Sequence, residues 1–275
     1  MTTAFDPHVA RAWVERVGAA GREQVRDELA VEEPVEIRVD GEALAVSMRT
    51  PGKDEELAVG FLAGEGLIGG RDDVVSVGLS EDLAANVIEV RTRRGLRRDP
   101  AGERRFYLTS SCGVCGKGAL EFVRREALAV REREPGTDEL TPEAIFAAPA
   151  RARREQHAFE RTGGLHATAL FAPDGAPVVV REDVGRHNAL DKALGALLLE
   201  GRYPLGDEAL YACLSGRASF ELVQKASVGG LLGLVAVGAP STLAVELARD
   251  RGILLCGFVR GESFNVYAGA QRLAG

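Results

Sequence analysis

Hydrophobic and polar positions along the chain alternate between two periods, and the switches between them outline its elements. Residues 8–29 are charged with weak helical spacing and read as part of an N-terminal surface segment, 1–30. From Val31, VEEPVEIRVDGEALAVSMRTPG alternates at period two. Val35, Ile37 and Val39 share one side, Asp40-Gly41 is a strong hairpin turn, and Leu44, Val46 and Met48 begin the return strand. In DEELAVGFLAGEGLI an acidic first turn precedes Leu57 and Phe61, four apart on one helical face, and Gly64 or Gly66 can end the helix. Two strands follow, around 73–79 and 86–92. Leu120, Val123 and Ala127 predict a further helix. The polar, proline-bearing REREPGTDELTP reads as a linker, closing a β-rich lobe over 31–132.

Beyond the linker the pattern becomes regular. A helix is expected over 141–160, strands over 166–171 and 177–182, and a helix over 186–200. Then come strand 208–214, helix 219–229, strand 232–237, helix 241–251, strand 253–258 and a last strand near 263–267. Leu190, Leu194, Leu197 and Leu198 give the 186–200 helix an apolar face. LLGLVAV and GILLCGF are apolar throughout, as expected of strands covered on both faces. Residues 140–275 therefore predict an α/β core, a layered mixed sheet with helices on both faces, beside a smaller β-rich lobe.

Composition narrows the function. The 275 residues are 45% hydrophobic and 27% charged, a globular profile. With 5% aromatics and a net charge of −7, neither a base-stacking platform nor a general nucleic-acid binder is expected. MTTAFDPHVARAWVERVG has no secretory pattern, and the longest apolar run, near LLGLVAVGA, is too short to span a bilayer. A cytoplasmic protein with reduced thiols and no membrane association is the expectation. Against the overall acidity, residues 91–105 carry seven arginines, either a solvated hairpin tip or a basic collar guiding an anionic partner toward the cysteines.

The chemistry concentrates in SSCGVCGKG, where Cys112 and Cys115 form a Cys-x-x-Cys pair. Three uses fit such a pair: half a zinc site, a redox dithiol, or a loop presenting a nucleophilic thiolate. Zinc needs further ligands. No second Cys-x-x-Cys exists, Cys213 and Cys256 sit in apolar strands, and the only upstream histidine, His8, is not followed by x-Glu. A site recruiting His157, His166 or His187 stays open. A redox pair normally follows the first strand of its fold, whereas this one follows four strands. For the third use, Gly113, Gly116 and Gly118 free the backbone, Ser110 and Ser111 add polarity, and Lys117 favours the thiolate.

Several longer strings carry a resemblance. SSCGVCGK, FERTGGLHATALF, REDVGRHNALDKALG, LSGRASFELVQKA and GAPSTLAVELARDRGILLCGFVRG, with EEPVEIRVDG and MRTPGKDEELAVGFLAGEGLI, resemble the formate dehydrogenase accessory protein family from about residue 30 onward. The resemblance implies a sulfurtransferase serving the molybdenum cofactor of formate dehydrogenase. A cysteine desulfurase would pass a persulfide to Cys112, with Cys115 assisting. The protein would bind a molybdenum bis-guanine-dinucleotide cofactor and sulfurate the metal before insertion into the enzyme. The family's cofactor-binding stretch falls on Phe258, Val259, Arg260, Gly261, Glu262 and Ser263. A core similar to the cytidine deaminase fold without its catalytic zinc, and a homodimer, are also implied.

Other motifs suit a ligand with several phosphates and two guanines. Thr162-Gly163-Gly164 and Gly216-Arg217-Ala218-Ser219 can supply N–H donors, or be plain turns. Arg217 and Arg260 can grip phosphate bidentately. REDVGRHN places Arg181, Glu182, Asp183, Arg186, His187 and Asn188 at a strand-to-helix junction, where open α/β sheets bind ligands. Asp183 either caps the helix or serves the site. His187 reads as a site residue, because so dense a charged cluster seldom serves packing alone. His166 either faces the cofactor or is structural. Asp191 and Lys192 are expected at the surface.

Overall fold

The computed structural model describes residues 6–80, 86–97 and 139–274. The first described element corrects an expectation. Residues 8–29 are not helical but form a long hairpin, β1 (Val9–Gly18) and β2 (Gly21–Ala30), paired without a register shift from Val9↔Ala30 to Gly18↔Gly21. Odd-numbered Val9, Trp13 and Val17 lie on one side of β1, a period of two that its arginines and glutamates obscure.

A four-stranded sheet follows, ordered β4-β3-β6-β5, from β3 (Glu33–Val39), β4 (Glu42–Arg49), β5 (Val74–Leu79) and β6 (Val87–Thr92). Asp40 and Gly41 join β3 to β4 with positive φ at both, as a two-residue hairpin turn requires. Val35, Ile37 and Val39 are buried. They pack toward α1 (Asp54–Gly64), where Leu57 is also buried.

The larger sheet has six strands ordered β12-β11-β10-β9-β7-β8: β7 (His166–Phe171), β8 (Pro177–Asp183), β9 (Tyr211–Leu214), β10 (Gly233–Ala236), β11 (Leu254–Arg260) and β12 (Ser263–Ala268). β9, β10 and β11 run parallel, and β7 and β12 are antiparallel to their neighbours, so the sheet is mixed. Its helices are α2 (Pro142–Arg154), α3 (His157–Thr162), α4 (Arg186–Leu199), α5 (Phe220–Gly229) and α6 (Thr242–Asp250). The helix expected over 141–160 is thus two. The chain leaves helical geometry at Gln156, and Glu182 restarts it by accepting N–H bonds from Ala158 and Phe159 at 3.0 and 2.8 Å.

Alternate residues of each strand divide the core. Leu170, Ala212, Leu214, Leu234 and Leu255 lie beneath α4, α5 and α6, together with α1 and the smaller sheet. Ala169, Phe171, Tyr211, Cys213, Val235 and Cys256 pack instead with Ile145, Ala148 and Ala152 of α2. Leu190, Leu194, Leu197 and Leu198 of α4 are fully buried. Each is worth about 1.5–3 kcal/mol relative to exposure. The first cluster spans both sheets, so the β-rich lobe and the α/β core share one interior.

Candidate functional site

Chain direction gathers the candidate residues. The parallel strands β9, β10 and β11 end at one edge of the large sheet. β8 ends there too, and β7 begins there, because each reverses its neighbour. The N-termini of α4, α5 and α6 open at this edge, presenting backbone N–H groups and positive dipole ends. Beyond the strands the loops zip together sideways. Gly238 N donates to Gly216 O at 3.0 Å and Phe258 N to Gly238 O at 3.2 Å. Ala218 N donates to Ala239 O at 3.2 Å and Ser241 N to Ala218 O at 3.0 Å. Gly216 supports the His166 ring: a Cβ there would stand 3.3 Å from two ring atoms.

His166, Arg186 and His187 meet at this edge. His166 Nδ1 makes a long 3.4 Å contact with Ser215 Oγ, which accepts the Ala167 N–H at 2.9 Å. Burial, with Arg186 and His187 nearby, lowers the His166 pKa and favours the neutral ring. Among the described residues, Arg186 Nε is buried with no hydrogen-bond partner. His187 Nε2 lies 3.1 Å from Ser219 Oγ and 2.9 Å from Glu221 Oε2. Ser219 stands at the N-cap of α5, yet its side chain makes no capping bond there. Serine and carboxylate share one ring nitrogen of His187, so the trio cannot relay a proton as a serine-hydrolase triad does. The hydrogen bond from His187 holds the Glu221 carboxyl below its ordinary range.

The rest of REDVGRHNALDK faces inward. Arg181 Nη2 donates to Glu56 Oε1 of α1 at 2.9 Å, and Glu182 caps α3. Asp183 is fully buried. Its carboxylate accepts the Gly185 N–H at 2.8 Å, Asn188 Nδ2 at 3.0 Å and the Thr50 N–H at 3.2 Å, and lies 2.7 Å from Lys192 Nζ. Asn188 Nδ2 also reaches Met48 O, and Lys192 Nζ reaches Thr50 O, both at 2.8 Å.

This overturns the surface placement of Asp191 and Lys192, both 2% exposed. Asp191 Oδ1 and Oδ2 take Lys225 Nζ at 2.9 and 3.1 Å, and Glu65 Oε1 adds a third contact at 3.0 Å. Burial works against the Lys225 charge, but Asp191 and Glu65 outweigh it and raise the pKa. The dense charge of the motif is mainly a bolt between the two sheets. Arg186 and His187 are the members that turn to the edge.

The remaining candidates differ in what they offer. Phe258 is exposed with φ 54°, Val259 is buried, and Arg260, Gly261, Glu262 and Ser263 form the exposed β11–β12 turn. Arg217 is exposed beside Gly238. In the exposed Gly163-Gly164 turn, Gly163 N donates to Phe159 O at 2.7 Å and Gly164 N to Thr162 Oγ1 at 3.3 Å, so both N–H groups are committed. Of the arginine run, Arg93 Nε donates to Asp72 O at 3.0 Å and Arg97 Nη2 lies 3.3 Å from Asp73 Oδ2. Arg98, Arg104, Arg105, Cys112, Cys115, Lys117 and the helix expected from Leu120 lie outside the described residues. Cys213 and Cys256 are buried free thiols, each pushed up to about 12 by burial. Sequence reading missed Ser215, Glu221 and Lys225 as partners, for their only signal is contact across the fold.

The model of the FdhD/NarQ family matches residues 30–274. The chain belongs to the FdhD/NarQ family. Similar FdhD/NarQ relatives carry the name sulfur carrier protein FdhD. One from Anaeromyxobacter dehalogenans is 48% identical over 96% of this chain and 93% of its own. Others are from Streptomyces avermitilis, 49% identical over 90% and 89%, and Mycolicibacterium paratuberculosis, 50% identical over 92% and 95%. A solved structure of a formate dehydrogenase accessory protein from Desulfotalea psychrophila superposes with a TM-score of 0.75. It covers 98% of this chain and 100% of that one at 24% identity, a likeness that establishes the fold.

Proposed function

We propose that this protein is a sulfur carrier acting as a sulfurtransferase for formate dehydrogenase. Cys112 accepts a persulfide sulfur from a cysteine desulfurase and passes it to a molybdenum bis-guanine-dinucleotide cofactor, the cargo. Near full-length similarity to relatives named as sulfur carriers supports this reading. The observation that carries it is the disposition of the thiols. Of four cysteines, Cys213 and Cys256 are buried with strongly raised pKa values, which leaves Cys112 and Cys115 for exchange chemistry.

The Cys112 thiolate attacks the outer sulfur of the donor persulfide, and the donor cysteine leaves as its thiolate. Attack of the Cys115 thiolate on Cys112 Sγ then expels the carried sulfur as sulfide. The two cysteines supply its two electrons and close to a disulfide, which a thiol reductant reopens. The sheet edge suits the cargo. Arg186, Arg217 and Arg260 meet phosphate charge, a neutral His166 offers a hydrogen bond, and exposed Phe258 offers a ring for a guanine to stack on.

Incubation with a desulfurase and cysteine should add one sulfur atom to the peptide holding Cys112 and Cys115, and none in Cys112→Ala. No added sulfur would favour a chaperone that delivers the finished cofactor. Arg217→Ala should weaken guanosine diphosphate binding about tenfold, with an unaltered melting temperature.

A further inference from the structure

His166 is the first residue of β7, and its ring is held from one side. Gly216 leaves room for it, since a Cβ there would stand 3.3 Å from both Cε1 and Nδ1. Nδ1 lies 3.4 Å from Ser215 Oγ. Ser215 is itself pinned to the residue after the histidine. Its N–H donates to Ala167 O at 3.0 Å, and its Oγ accepts the Ala167 N–H at 2.9 Å.

This arrangement assigns the protons. A serine hydroxyl has one proton to donate and two lone pairs to accept with. The Ala167 N–H can only donate, so it takes one lone pair and leaves the hydroxyl proton to be placed. Among the described residues, the one acceptor that Ser215 Oγ meets is His166 Nδ1. A neutral imidazole accepts at one nitrogen and carries its proton on the other, and the bond made by the first decides which. With Nδ1 accepting from Ser215, Nε2 carries the proton. The opposite tautomer would aim two N–H groups at Oγ and leave the hydroxyl proton without an acceptor there. Burial, together with nearby Arg186 and His187, lowers the His166 pKa, so the neutral ring is the form that matters near pH 7.

Among the described residues, Nε2 of His166 has no hydrogen-bond partner. His187 differs, because its Nε2 is already committed to Ser219 and Glu221. We propose that Ser215 is a positioning residue that fixes His166 as its Nε2–H tautomer, so that the ring meets the cargo as a neutral donor to an acceptor oxygen. That the donor serves the cargo rests on the function proposed above; the tautomer and its cause do not. A donor set in advance needs no rearrangement when the ligand arrives, whereas a ring free to change tautomer or turn over must first be ordered.

Nuclear magnetic resonance of the full chain labelled with 15N in its histidines, above pH 7, reads the tautomer directly. The His166 signals are those missing from His166→Gln. Nδ1 should appear unprotonated and Nε2 protonated, with a single tautomer populated. Ser215→Ala should let the two tautomers mix and weaken guanosine diphosphate binding about fivefold. Ser215→Thr, which keeps the hydroxyl, should restore both. The wild-type spectrum needs no variant to fold, so it decides the assignment even where Ser215→Ala is unstable. A proton on Nδ1 overturns the proposal and leaves the sulfur-carrier reading untouched. So does a single Nε2–H tautomer that persists in a folded Ser215→Ala. A wild type with the Nε2–H ring but no affinity for guanosine diphosphate overturns the cargo's place at this edge, and with it the donor role of His166.

Discussion

Gly60 of α1 and Gly195 of α4 each lie against the other helix's backbone. A Cβ on Gly60 would stand 1.8 Å from Asp191 O, and one on Gly195 would stand 1.8 Å from Glu56 O. No side chain separates the two helices at this crossing, so the smaller sheet, carried by α1, is drawn onto the larger one. Gly60→Ala or Gly195→Ala forces the backbones apart and should cost about 1–3 kcal/mol. Urea unfolding measures this, and an unchanged midpoint would refute so close a contact.

The buried pair Asp183–Lys192 fastens the same junction within one helical turn of Gly195. Lys192→Met leaves a fully buried carboxylate without its cation and should cost about 3–5 kcal/mol. Asp183→Asn together with Lys192→Met should recover much of that loss, because no lone charge then remains. Denaturation of the two single variants and the double variant separates the coupling from simple loss of packing.

His166 gives the edge a definite pH response. Its folded pKa lies below the ordinary 6.5, so the unfolded chain binds more protons between the two values. Its contribution is present above 6.5 and is lost as pH falls through the lower, folded value. Glu221, also lowered, from 4.5, keeps its contribution until pH falls below that ordinary value. Unfolding free energies at pH 7.5 and 5.5 should therefore differ less in His166→Gln than in the wild type. Equal differences would show that the ring does not titrate differently on folding.

Cys213 and Cys256 fill space in the core beneath α2. Replacing either with Ala should cost roughly 1–2 kcal/mol through lost packing and leave sulfur loading from a desulfurase intact. A folded Cys213→Ala or Cys256→Ala protein that no longer accepts sulfur would remove Cys112 from its assigned role.

Much of the architecture was legible beforehand because its signals are local. The Asp40-Gly41 turn, the leucine stripe of α4 and the apolar runs LLGLVAV and GILLCGF of β10 and β11 each record their surroundings within a few residues. The β1–β2 hairpin was not legible, since its alternating charges hide a period of two behind a polar composition. The break at Gln156 was missed because the group that restarts α3 is Glu182, far along the chain. Asp191 and Lys192 were misplaced for the same reason. A charged residue reads as exposed until its partner is known, and their partners, Lys225 and Asp183, come from other elements.

By itself, the sequence determined most of the element order from residue 31 on and the α/β class, and it marked Cys112 and Cys115 as a candidate pair for thiol chemistry. All three rest on residue type and short-range spacing. Only the tertiary structure decided which parts of REDVGRHNALDK bolt the sheets together and which turn to the open ends of the strands. It also decided that His166, Arg186, His187, Arg217 and Phe258 share one edge. Side-chain direction and burial arise from strand order and helix crossing, and those depend on contacts between residues more than a hundred positions apart, as between Thr50 and Lys192.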